Sequence, residues 1–169
     1  MKSGAEKKMD FEAKTEAFHS IKRIDEILGS GIFDPKNSQH PLRESAFIEM
    51  IICLRDLMEK VETYTERISF KDDLNLNDKT VDVTDSIRHV RDAICHLDSH
   101  KRHIDENKNR VAFCFISGKG CLMKINDVEI GSDYEDDICF FYGNHKLYFK
   151  RHIIRAFNEA KEKLHVVFE

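Results

Sequence analysis

The chain predicts a mainly α fold: a four-helix bundle with a small antiparallel β-meander inserted before its last helix. Apolar residues recur at helical spacing in three long blocks ahead of residue 105, the signature of amphipathic helices. Between about 110 and 143 the period changes to alternation and short apolar runs broken by glycine, which is how strands and tight turns read. Helical spacing then returns for one more segment. A length of 169 residues suits one domain, assigned here to residues 10–169. Residues 1–9 are lysine-rich and apolar-poor, and are expected to form a flexible tail.

The first helix is expected from about Asp10 to Leu28, with Phe11, Phe18, Ile21, Ile24, Ile27 and Leu28 on its apolar side and Gly29 and Gly31 closing it. Asp34-Pro35-Lys36-Asn37-Ser38 reads as a turn. Pro41 suits an early position of a second helix that carries Phe47, Ile48, Ile51, Ile52, Leu54, Leu57, Met58 and Val61 to Tyr64 or just beyond. Its apolar arc is wide enough for more than one neighbour. A polar connector, Ser69 to Val81, leads to a third helix from about Thr84 to Ile104. There Ile87, Val90, Ile94, Leu97 and Ile104 form one face and Arg88, Arg91, Asp92, Cys95, His96, Ser99, Arg102 and His103 the other.

Strands are expected at Val111 to Ile116, Cys121 to Ile125, Val128 to Ile130 and Ile138 to Tyr142. Ser117-Gly118-Lys119-Gly120 should join the first two as a hairpin. The aromatic residues Phe113, Phe115, Phe140, Phe141 and Tyr142 are expected to pack this small sheet against a helix. Asn144 can cap a final helix from about Lys146 to His165.

Five cysteines are scattered without a Cys-x-x-Cys pair, so they read as reduced small hydrophobes, not as a disulfide framework or a zinc site. No metal ligand set and no cofactor is assigned. No segment has the apolar length of a signal peptide or a membrane span, so the expectation is a cytoplasmic protein without membrane contact. A net charge of −4 excludes a generally basic surface, and any nucleic-acid site must therefore be local.

The strongest candidate is Arg91-Asp92-Ala93-Ile94-Cys95-His96, the only place where four to six residues separate an arginine from a following histidine. Arginine offers a permanently charged fork that suits phosphate oxygens, and histidine exchanges protons near neutral pH. With RNA as substrate the nucleophile is the 2′-hydroxyl beside the scissile phosphate. On an ideal helix the two side chains project about 140° apart, so they converge on one atom only if another surface crosses this face. Arg88, Ser99, Arg102 and His103 surround the pair and are the expected RNA contacts.

An arginine, a polar residue, three further residues and a histidine, on the third long helix of a small helical bundle, resemble the motif of the HEPN superfamily of prokaryotic defence and toxin proteins. The stretch from Thr84 to Ser99 looks most like a plasmid-borne branch of that superfamily. The resemblance implies a HEPN-like bundle and a metal-independent endoribonuclease of a toxin or abortive-infection system. It implies a homodimer formed through the motif helix, a protein antitoxin as a further partner, and RNA ends carrying 2′,3′-cyclic phosphate. Arg91 would stabilise charge on the phosphate, His96 would serve as general base or acid, and Asp92 would orient them. Some members are silenced by modification of a tyrosine two residues beyond the histidine; here that position is Asp98. The alternatives are a catalytically inactive HEPN-like module that binds RNA or nucleotide and regulates a partner, and a purely structural dimerisation domain.

Overall fold

The computed structural model describes residues 8–96, 100, 103, 104, 109–111, 113–126, 128–143 and 145–168. Four helices and five strands alternate in blocks: α1 (Phe11–Gly29), α2 (Arg43–Tyr64), α3 (Val83–Cys95), β1 (Phe113–Ser117), β2 (Gly120–Ile125), β3 (Val128–Ser132), β4 (Ile138–Tyr142), β5 (His145–Tyr148) and α4 (Arg155–Phe168). The fold is mixed α/β, not the mainly α bundle with an inserted meander that the sequence predicts. Helices hold 52% of the chain and strands 19%, and the strands form two antiparallel sheets that build the core with the helices.

Asp10 caps α1 by accepting the Ala13 N–H at 2.8 Å, and the chain turns out of the helix through Gly31 at φ +68°. A Cβ at Gly31 would lie 2.9 Å from the Asp34 carboxylate, so this turn requires glycine. α1 buries Ala17 and Ile24, whereas Phe11 and Phe18, expected on its apolar side, are 85% and 61% exposed. Pro41 falls two residues before α2. That helix is the spine: Phe47, Met50, Ile51, Leu54, Leu57, Met58 and Val61 are buried, and it packs against α1, α3 and α4. Each such side chain contributes about 1.5–3 kcal/mol through burial. Met9, assigned to the tail by sequence, is buried with this core.

One sheet has the order β1-β4-β5, and the other is the β2-β3 hairpin. The Ser117–Gly120 turn therefore joins strands of different sheets: β1 pairs with β4, as in Phe115↔Phe140, and β2 pairs with β3. Every residue of β4 is buried. Ile138, Phe140 and Tyr142 face the helices, where the Phe47 ring lies 4.6 Å from that of Phe140, while Cys139 and Phe141 face the opposite way. Ile104, Val111 and Ile130 cover that second face.

Two expectations about helix ends are corrected. α3 stops at Cys95, not near Ile104, because Ile104 is drawn beneath the sheet, where its N–H donates to the Asn109 carbonyl at 2.9 Å. Lys146, expected to open the last helix, lies in β5, whose Leu147 pairs with Phe140. The helix begins as a π-helical turn, Phe149–Ile154. Buried Asp137 holds that turn, accepting the Lys150 and Arg151 N–H groups at 2.8 and 3.2 Å and the Arg151 guanidinium at 3.0 Å. Asn144 lies outside the described residues.

His152 lies in the same turn with no solvent exposure. Its Nδ1 accepts the Tyr148 N–H at 3.0 Å, so the proton resides on Nε2, 2.9 Å from the Asp72 carbonyl. Burial pushes its pKa below the ordinary histidine value, outweighing the Asp72 carbonyl, which favours the cation. The unfolded imidazole, titrating near ~6.5, binds the proton more readily than the folded one. This contribution is complete above about pH 6.5 and is lost as pH falls toward the depressed folded value. The melting temperature should fall between pH 7 and 5 more steeply in wild type than in His152→Gln, and equal slopes would refute this role.

Candidate active site

α3 is anchored at its N-terminus. Asp82 is extended at the cap position and accepts the Asp85 N–H at 3.0 Å. Arg67 grips both Asp82 oxygens at 2.8 and 2.9 Å and also reaches Asp85 at 2.7 Å and Glu62 at 2.6 Å. Burial alone would push the Asp82 carboxyl up. The Arg67 fork and the Asp85 N–H outweigh it and hold the group below the usual carboxylate range. Arg88 belongs to the same network, donating to Asp85 at 3.1 Å and Glu62 at 3.2 Å. Thr84 adds a bond to the Ile68 carbonyl at 2.6 Å. The first turn of α3, polar in sequence, is thus buried through satisfied bonds.

One turn further on, Arg91 is treated differently. Among the described residues, its guanidinium makes one hydrogen bond, a 3.3 Å contact from Nη1 to the neighbouring Asp92 carboxylate, and 39% of its side-chain surface is open. Asp92 also accepts the His96 N–H through its carbonyl at 3.0 Å. It therefore bonds the side chain of one motif residue and the backbone of the other. His96 is exposed at the end of α3, with extended backbone (φ −118°, ψ 98°). No hydrogen bond or ion pair joins it to Arg91. Ser99 and Arg102 lie outside the described residues. His103 is half-buried and forms an antiparallel bridge with Arg110, so it is set by local backbone pairing.

Arg91 lines a cleft of about 510 Å³ with residues of α1 and α2 that sequence reading did not single out, among them Glu16, His19, Arg55, Asp56 and Glu59. The carboxylates here have cation partners. Lys60 bridges Asp56 at 2.6 Å and Glu16 at 3.0 Å, Ser20 donates to Asp56 at 3.0 Å, and Arg55 pairs with Glu59. Since 72 residues separate His19 from Arg91, no local motif links them; only the packing of α1 and α3 on α2 does. The arrangement offers a guanidinium with most of its donors free and an imidazole across a groove, groups able to hold a phosphate and move a proton.

Among the described residues, no group of three or more His, Cys, Asp or Glu side chains is placed to hold a metal ion. No helix among them is long and apolar enough to cross a membrane. Compared with family models, curated proteins and solved structures, the chain matches none.

Replacing Arg67 by Ala leaves the nearly buried Asp82 and partly buried Asp85 carboxylates without their main cation. The expected loss is about 2–3 kcal/mol, reduced from the fully buried case by the exposure of Arg67. Urea denaturation checks this, and a loss below about 0.5 kcal/mol would show that the network does not anchor α3.

Proposed function

We propose that the chain is a metal-independent endoribonuclease of a toxin or phage-defence system, acting in the cytoplasm as a homodimer. The observation that carries this reading is the state of Arg91. Arg67 and Arg88 are committed to carboxylates on or beside α3, whereas Arg91 keeps most of its donors available at a cleft. A guanidinium held in that way stabilises the charge that builds on phosphate oxygens during in-line displacement. His96, exposed at the end of the same helix, is free to give a proton to the departing 5′-oxygen of RNA bound at the partner subunit's Arg91. Asp92 orients Arg91. The motif and its resemblance to HEPN proteins support the same chemistry, and a protein antitoxin covering this surface fits the proposal.

A second reading, an RNA- or nucleotide-binding module without cleavage, is favoured by the separation of His96 from Arg91 within one subunit. The two readings part on product and on variants. In excess EDTA, wild type should cut mixed single-stranded RNA and tRNA to 2′,3′-cyclic phosphate and 5′-hydroxyl ends. Arg91→Ala and His96→Ala should each lose about a hundredfold or more while melting within a degree or two of wild type. RNA binding by all three proteins without cyclic-phosphate ends would replace the first reading by the second. Equal cutting by all three would remove both residues from the mechanism.

A further inference from the structure

We infer that His19 and Arg91 form one phosphate-binding site within a single subunit; given the ribonuclease proposed above, on which this step rests, His19 then exchanges the proton of the attacking hydroxyl. Both residues line the same cleft, whose volume of about 510 Å³ lies in the range that takes a nucleotide-sized ligand. The other charged groups lining it have partners: Glu16 and Asp56 share Lys60 of α2, and Glu59 pairs with Arg55. Three carboxylates against these two cations leave one negative charge, which the Arg91 guanidinium offsets where an anion would enter.

His19 is well placed and unspent. Its neighbours along α1 are pinned to α2, Glu16 through Lys60 and Ser20 through a 3.0 Å bond to Asp56, so the backbone that carries the imidazole is held at the cleft. Among the described residues the ring itself has no hydrogen bond or ion pair, and its one ring contact is with Phe18 at 6.4 Å. A histidine tied into the structure would have at least one nitrogen occupied, as His152 has both and as His89 has its Nδ1, 3.0 Å from the Thr80 hydroxyl. Both nitrogens of His19 remain available to substrate.

With a phosphodiester on Arg91, the 2′-oxygen gives its proton to the His19 ring as the O2′–P bond forms. The P–O5′ bond breaks on the opposite side of phosphorus, and the departing O5′ takes its proton from the imidazolium of the partner subunit's His96. Atoms and charge balance, the products are a cyclic phosphate and a 5′-hydroxyl, and no redox partner is needed. Arg91 fixes the phosphate throughout, so the effect of His19 belongs to the chemical step and not to affinity.

The test pairs cleavage with phosphate binding, using the full chain as wild type, His19→Ala, His19→Asn and Arg91→Ala. If wild type cuts RNA, both His19 variants should lose about a hundredfold in kcat with KM changed less than about threefold. Wild-type rates in either variant, or a loss tracking only a lower melting temperature, would overturn the inference. If wild type does not cut RNA, the ribonuclease reading fails and inorganic phosphate decides the shared site. Movement of the His19 ring signals by NMR in wild type but not in Arg91→Ala upholds it, and signals that stay fixed up to about 50 mM phosphate overturn it.

Discussion

The burial of β4 on both faces is the constraint from which the other features descend. A strand with no solvent face must be covered twice, and a single layer of helices covers it once. Phe47 and the rest of the α2 core meet Phe140 on one side. On the other, Cys139 and Phe141 need a second cover, supplied by Ile130 from the hairpin and by Ile104 and Val111. Drawing Ile104 under the sheet takes the chain off the axis of α3, and the helix ends at Cys95. His96 is left at an exposed helix end in extended conformation. The position of a candidate catalytic histidine therefore follows from the packing of a strand more than forty residues away.

That chain of cause also explains what the sequence made legible. Local chemistry was readable: Gly31 turns, and the strand segments around Phe115, Ile125, Ile130 and Phe140 carry their alternation in plain view. The wide apolar arc of α2 correctly implied several neighbours. Pairing was not readable. Ser117–Gly120 has the residues of a hairpin turn and does turn, but whether β1 then pairs with β2 or with β4 depends on which partner buries Phe113 and Phe115 better. Ile104 lies on the periodic line of α3, and periodicity cannot report that a better apolar site exists elsewhere. Leu147 was likewise read as one face of a helix, although beside Phe140 it completes a sheet.

For the candidate site, residue identity was legible and availability was not. Arg88 and Arg91 look equivalent on a helical wheel. Only the fold shows that Arg67 comes from the preceding segment to organise Asp82 and Asp85, that Arg88 joins it there, and that Arg91 lies one turn past the reach of those carboxylates. A protein of net charge −4 can present a phosphate site in this way. Acidic groups near the cleft and at the start of α3 are engaged by Lys60, Arg55, Arg67 and Arg88, while Arg91 keeps most of its donors open at the cleft.

The shortened helix also changes what the spacing of the motif can mean. Four intervening residues fix an angle between two side chains only while the helix passes through both of them. Here it ends one residue early, so the direction of the His96 side chain follows its extended backbone, and convergence of a histidine on the phosphate held by Arg91 depends on tertiary or quaternary packing. Acid–base chemistry at a phosphate needs the proton carrier within hydrogen-bond reach of the hydroxyl while the cation holds the phosphate oxygens. Within one subunit His96 makes no bond to Arg91, whereas His19 faces the same cleft. A site built on Arg91 would therefore close through two further surfaces, α1 of the same subunit for the base and the α3 end of a partner for the acid. The two histidines give the two proton transfers separate chemical handles.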